Sequence, residues 1–226
     1  MSFYTRAGRQ ILGNRAVRRI KARRLLLSQF LGIGRWSHPG LSGLDERLAD
    51  YVRDIEGGVF IEFGANDGLQ QSNTYLLERE FGWRGVLIEP VPELASECVR
   101  NRPLAVVVCG VVAAPQDCGS PVGISDQDLL SSTGLSRVMT AATTISLIID
   151  NALSGRAPDL MSIDVEGYEL SALAGLDLER HRPTWMLIET AVPAEVTGLL
   201  SGYYEQVAVL SHHDYLFHVR TSPILG

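Results

Sequence analysis

The run Gly58-Val59-Phe60-Ile61-Glu62-Phe63, continuing into Gly64-Ala65-Asn66-Asp67-Gly68, decides the fold. Its first half is a short apolar segment bounded by glycine, which suits a strand buried on both faces of a parallel sheet. Its second half is a turn running towards a helix, where Gly64 and Gly68 permit tight curvature and close backbone approach to a ligand. The spacing is G-x-x-x-G, not the dinucleotide G-x-G-x-x-G, and no Walker lysine follows. A pyrophosphate needs bare N–H groups at a helix start, and the carboxylates of Glu62 and Asp67 would repel it. Those acids suit a ligand that presents an ammonium group and sugar hydroxyls.

Outward from this turn, strands and helices alternate. Strands are expected at 84–89, 104–112, 160–164 and 184–189, and helices at 73–81, 91–100, 143–153, 168–173 and 193–201. Segments 204–210 and 215–220 suit a closing hairpin, and a helix over 44–55 ends at Gly57-Gly58. The polar stretch 114–137 reads as a long loop, of the kind that forms lids and walls. Such alternation implies a doubly wound α/β fold with a parallel sheet, and the last two adjacent strands imply an antiparallel edge. Open sheets of this kind bind ligands beyond the carboxyl ends of their strands. Chemistry is therefore expected just after Phe63, Glu89, Val112, Asp164 and Glu189.

Three of those positions carry acids. Glu89, in Val86-Leu87-Ile88-Glu89-Pro90, stands where an acid accepts the two ribose hydroxyls of an adenine nucleoside. Asp164-Val165-Glu166-Gly167-Tyr168-Glu169 places three acids within six residues after the fourth strand. Asp164 should face the site, and Glu166 could cap the next helix or reach an ammonium group. Glu189 ends the adjacent strand, so it should lie beside Asp164. Two facing carboxylates can share a divalent cation such as Mg²⁺ or form a pair with raised pKa. An ammonium, ribose hydroxyls and an adenine together describe S-adenosylmethionine (SAM).

Charge divides the chain. Residues 1–44 hold nine of the 20 basic side chains and no acid, leaving 11 basic against 26 acidic residues, a net of −15, in the rest. An anionic body argues against nucleic acid as a partner. Residues 1–43 read as a basic arm on a domain over 44–226, with an amphipathic helix at 8–31. That helix reads either as one that packs on the domain or on a second subunit, as in a homodimer, or as one that rests on anionic lipid. No apolar run approaches the ~20 residues of a membrane span. Cys98, Cys109 and Cys118 form neither a disulfide framework nor a zinc pattern, so partly buried, reduced thiols and a cytoplasmic location are expected, with the arm at the inner membrane face on the lipid reading.

Several segments in order resemble the FkbM family of SAM-dependent methyltransferases. They are 64–68, Ser72-Asn73-Thr74, Leu77-Glu78, Gly82-Trp83-Arg84-Gly85, Ile88-Glu89-Pro90, Asn101-Arg102-Pro103 and 163–169. The likeness covers about 40–220 and leaves the basic arm outside. It implies a Rossmann-like, mostly parallel seven-stranded sheet with an antiparallel terminal strand, and O-methylation of a hydroxyl on a sugar, a polysaccharide unit, a polyketide or another small molecule. It also implies that Glu62, Gly64, Asn66, Asp67 and Gly68 form the SAM turn and that Glu89 is the ribose acid. Asn73 and Thr74 would be pocket residues, or else caps of the next helix. Asp164 would lie nearest the transferred methyl.

Methyl transfer to an alcohol is an in-line displacement that depends on alignment, and a base or metal must deal with the hydroxyl proton. Asp164 and Glu189 are the first candidates, directly or through Mg²⁺. His212, His213 and His181 are the alternatives, with His212-His213-Asp214 in the turn between the last two strands. The competing readings are a nucleoside-binding protein without catalysis and an NAD-dependent oxidoreductase, against which the missing G-x-G-x-x-G counts; among acceptors, small-molecule or lipid hydroxyls compete with sugars.

Overall fold

A computed structural model describes residues 20, 22–27, 40, 43–124 and 138–222. Helix α1 (Leu44–Val52) precedes strand β1 (Val59–Phe63), helix α2 (Tyr75–Glu80), strand β2 (Arg84–Glu89), helix α3 (Pro92–Asn101) and strand β3 (Val106–Cys109). Then come β4 (Val111–Val112), a 3-10 turn at Pro115–Asp117, β5 (Pro121–Ile124), β6 (Val138–Thr143) and α4 (Ile145–Ala152). The chain closes with β7 (Leu160–Ile163), α5 (Glu169–Ala174), β8 (Trp185–Glu189), α6 (Pro193–Leu200), β9 (Tyr204–Val209) and β10 (Asp214–Val219).

Seven strands form one sheet in the order β3-β2-β1-β7-β8-β10-β9. All pairings from β3 to β8 are parallel, and β10 is antiparallel to both of its neighbours. The antiparallel strand therefore lies one place in from the edge, because the closing hairpin inserts β10 between β8 and β9. The winding reverses between β1 and β7, and this switch point puts the turn at Gly64 beside the end of β7.

The central strands are apolar on both faces because helices cover both faces. Ile61, Phe63, Ile88, Ile163 and Ile188 join Ile145, Ile149, Ala172 and Val196 of α4, α5 and α6 in one core. Phe60, Leu87, Leu160, Leu187 and Leu216 join Leu48, Val52, Leu77 and Cys98 of α1, α2 and α3 in the other. The period-2 alternation of β1 sends Ile61 and Phe63 to the first core and Phe60 to the second.

Three expectations need correction. The third strand does not run through 104–112: it breaks at Gly110, and Val111–Val112 leaves the main sheet to pair with Ala142 and Thr143. Part of the expected loop is a second small sheet, in which β5 pairs antiparallel with β6 from Pro121↔Ala141 to Ile124↔Val138. Thr143 accordingly ends a strand, and the next helix starts at Ile145, with the Thr144 hydroxyl accepting the Leu147 N–H. Finally, only Cys98 is buried, while Cys109 and Cys118 are exposed free thiols.

Of the helix expected at 8–31, residues 22–27 are described and are helical; the remainder of that expectation, apart from residue 20, lies outside the described residues, as does 125–137 of the expected loop. Among the described residues no helix is long and apolar enough to cross a membrane.

Candidate active site

The turn after β1 is built by close packing. Gly64 and Ala65 donate to the Ile88 carbonyl at the end of β2, at 3.0 and 3.1 Å. Gly64 has φ 78°, and a Cβ there would stand 2.0 Å from the Asp164 carbonyl oxygen. Only glycine lets the ends of β1 and β7 approach this closely. Asn66 (φ 53°) and Gly68 (φ 81°) continue the left-handed path, and Gly68 is packed against Arg102 and Cys98 of α3 and its end.

Glu89 is buried and ties this turn to β2. Its Oε2 accepts the Asn66 N–H at 2.8 Å and its Oε1 accepts the Val91 N–H at 2.9 Å. A carboxylate is an acceptor-only group of the kind that binds ribose hydroxyls.

Glu62 and Asp67, both buried, serve the loop itself. Glu62 accepts from the Asn73 N–H at 2.7 Å, from the Ser72 hydroxyl at 2.9 Å and from the Thr74 hydroxyl at 2.5 Å. Asp67 folds back on its own chain, accepting from the N–H groups of Leu69 and Gln70 and from the Gln70 amide. Asn73 reaches across to β7, donating to the Ser162 hydroxyl at 3.1 Å, and is buried with Thr74. Thr74 also stands at the start of α2, though its side chain makes no cap there. These residues shape the loop rather than line an open surface.

The hub of this arrangement is Arg102, which the sequence offered only as part of an Asn-Arg-Pro segment. Its side chain is 0% exposed. Nη1 donates to the Gly68 carbonyl at 3.0 Å and the Ser72 hydroxyl at 3.2 Å, and Nη2 to the Thr74 hydroxyl at 3.2 Å. Glu78 Oε2 lies 3.0 Å from Nη2 without hydrogen-bond alignment, and Glu62 lies 4.0 Å from Nη1. The guanidinium sits 5.3 Å from the ring centres of both Phe60 and Tyr75. Its neighbour Asn101 donates to the Asp67 carbonyl at 2.7 Å. A lone arginine at a helix end carries no sequence signal of such a role.

On the far side of the switch point, Asp164 and Glu189 leave β7 and β8, whose last register pair is Ile163↔Ile188. Asp214 is the register partner of Glu189 on β10. Burial, then the charges of Glu189, Glu166, Asp214 and Glu169, push the Asp164 carboxyl up to about 8. Burial and then Asp214 raise Glu189, and His213 opposes that rise. Glu189 is thus the largest single charge acting on Asp164. Asp214 is buried and bonded by the Ser211 hydroxyl.

Of the three candidate histidines, His213 is the one that acts on Glu189. Its carbonyl accepts the Thr190 N–H at 2.9 Å, which fixes the turn beside the end of β8. His212 is exposed, with its ring 3.4 Å from that of His213. His181 is buried elsewhere, bonded to Ser146 at 3.3 Å and paired with Asp150 at 3.2 Å, so its role is to join the α5–β8 connection to α4. Glu166 (φ 51°) is exposed, and it is Glu169 that accepts the Gly167 N–H, at 2.7 Å. Among the described residues no group of three or more His, Cys, Asp or Glu is arranged to hold a metal ion.

The sequence model of a family described as the methyltransferase FkbM domain matches residues 62–217. Among solved structures, the chain is similar to the O-methyltransferase from Bacillus cereus in complex with SAH, at 15% identity and a TM-score of 0.48, over 88% of this chain and 90% of that one. It is also similar to a TehB-like SAM-dependent methyltransferase from Corynebacterium glutamicum, at 14% identity and a TM-score of 0.45, over 78% of this chain and 88% of that one. No curated protein matches the chain.

Proposed function

The chain belongs to the FkbM methyltransferase family, with the Rossmann-like seven-stranded sheet of SAM-dependent methyltransferases, and on that premise we propose that it methylates a hydroxyl group of a sugar or glycan acceptor. The observation that carries this reading is the carboxylate pair Asp164–Glu189 at the carboxyl end of β7 and β8, next to the glycine turn.

The residues present fit SAM. Gly64, where a Cβ would meet the Asp164 carbonyl oxygen at 2.0 Å, lets the backbone at the end of β1 lie against the end of β7, the close approach that a cofactor turn at the switch point needs. Glu89, an acceptor-only carboxylate at the end of β2 and bonded to the turn through the Asn66 N–H, has the chemistry suited to ribose hydroxyls, and the acids beyond β7 and β8 favour a cationic ligand. When bound, SAM supplies a methyl group activated by sulfonium. The chain's own part is to place the acceptor and deal with its proton. Asp164, raised by burial and by the charge of Glu189, is suited to proton removal, because as a carboxylate it takes the hydroxyl proton. His213 opposes the rise of Glu189 and so favours its carboxylate form beside Asp164.

A sugar acceptor is favoured by the surroundings of the pair. Tyr168, 58% exposed after β7, and the adjacent rings of His212 and His213, tilted 48° to each other before β10, offer ring faces, and the acids offer acceptors to hydroxyls. A Mg²⁺-assisted variant gains no support from the described side chains, which supply no cluster beyond the acids named.

The test is incubation with methyl-labelled SAM and a panel of mono- and oligosaccharides, polyketide alcohols and amines, with and without Mg²⁺. Alkali-stable label on a sugar oxygen is expected. Label on nitrogen or carbon would sink O-methylation, and label on a polyketide alcohol alone would sink the sugar reading. A well-folded protein that binds SAM and transfers nothing would leave a nucleoside-binding protein.

A further inference from the structure

The helical residues 22–27 have two faces. Ala22 is buried and packs with Leu69 and Tyr75, and Leu25 packs half-buried against the same pair. Leu69 and Tyr75 bracket the loop that Glu62, Asp67 and Arg102 hold in place. The opposite face turns to solvent: Arg23 and Arg24 are exposed, and with them the apolar Ile20 (52%) and Leu27 (58%). What distinguishes this helix is the spacing: Ile20, Arg23, Arg24 and Leu27 recur at i, i+3, i+4 and i+7 and share one outer face, where aliphatic and guanidinium groups alternate. Such a pattern is what an interfacial helix shows, with aliphatic groups entering the acyl boundary and arginines meeting headgroups.

The charge distribution names the partner. Residues 1–44 carry nine basic side chains and no acid, on a chain whose remainder is net −15. The segment can therefore meet an anionic surface only if it holds the anionic body away from it, as a planar contact through one outer face does. A polybasic stretch with neighbouring apolar residues gains both electrostatic and hydrophobic attraction to anionic bilayers. We propose that the outer face of residues 20–27 (Ile20, Arg23, Arg24 and Leu27) docks the protein on an anionic phospholipid surface, while its inner face rests on Leu69 and Tyr75. The domain then meets the bilayer on the side where the loop leaving the cofactor turn runs.

This inference does not depend on the methyl acceptor or on SAM. It is tested by sedimentation of the full chain with vesicles of phosphatidylcholine alone, or containing about one-third phosphatidylglycerol. Partition onto the anionic vesicles is expected to exceed that onto the neutral ones by about tenfold or more, and to fall in high salt. The variant carrying Arg23→Glu, Arg24→Glu and Leu27→Asp should lose about as much while keeping its thermal midpoint and SAM affinity. Equal partition onto both vesicles overturns the proposal, as does a triple variant that still binds. A wild-type dimer that becomes monomeric in the variant, with no vesicle binding by either, assigns the face to a second copy and overturns it too.

Discussion

The backbone N–H of Asn66 donates to Glu89 Oε2 at 2.8 Å, across 23 residues of chain. The acid at the end of β2 therefore holds the glycine turn at the end of β1. Glu89→Gln can still accept one of its two N–H bonds through the amide oxygen, but it turns a donor towards the other N–H. Binding of SAM should weaken about tenfold or more, roughly 1.4 kcal/mol, as read by isothermal titration. An unchanged affinity would remove Glu89 from the ribose site.

Arg102 makes a second prediction that separates packing from charge. It bonds Gly68, Ser72 and Thr74 at once with no solvent contact. Arg102→Met removes the cation beside Glu78 and Glu62 and the donors to Gly68, Ser72 and Thr74, and should cost about 3–5 kcal/mol, a fall in thermal midpoint of roughly 10 °C or more for a domain of this size. Arg102→Lys keeps the charge but cannot reach both the Gly68 carbonyl and the Thr74 hydroxyl. It should recover part of the stability yet bind SAM more weakly. Full recovery of affinity by lysine would refute the fork geometry.

Much of this was legible in advance, for physical reasons that differ residue by residue. The apolar runs of β1, β2, β7 and β8 announce buried parallel strands, and an acid after each of the last three marks the chemical end of the sheet. What a sequence does not carry is direction. Glu62 and Asp67 read equally well as ligand groups or as acceptors for their own loop, and they accept from it. The valine-rich run at 104–112 has no periodicity to reveal that Gly110 divides it between two sheets. His212 and His213 are adjacent in sequence, and only the fold separates them: His212 is exposed, while His213 bears on the charge of Glu189.

Gly64 offers a stringent check on the switch point. A methyl group there would meet the Asp164 carbonyl at 2.0 Å, with φ 78° already unfavourable to an L side chain. Gly64→Ala must therefore push β1 and β7 apart at the site. SAM binding should become undetectable by titration, and stability should fall by about 1–3 kcal/mol or more in chemical denaturation. Gly82→Ala is the control: φ is 69° there too, but nothing lies within 4 Å of the added atom. It should incur only the backbone strain and keep its affinity. Equal losses in the two variants would show that strain, not strand separation, explains the first.

The acid pair predicts opposite trends for stability and activity with pH. The folded Asp164 carboxyl titrates about 8, well above an unfolded aspartate near ~4, and Glu189 is raised as well. Between those limits the native chain holds protons that the unfolded chain has lost, so stability falls as pH rises through the window and is lowest above it. Asp164→Asn should remove that slope, gaining stability at alkaline pH and none near pH ~4. Activity runs the other way, because a base must be deprotonated: kcat/KM for the free enzyme should climb as pH approaches about 8. Glu189→Gln deletes the largest single charge acting on Asp164 but leaves its burial, so the climb should shift to lower pH without reaching the ordinary aspartate range. His213→Gln removes the group that holds Glu189 down and should shift it upward, whereas His212→Gln should leave it in place. A flat profile between about pH 6 and 9, or an Asp164→Asn enzyme within about tenfold of wild type, would take the base away from Asp164.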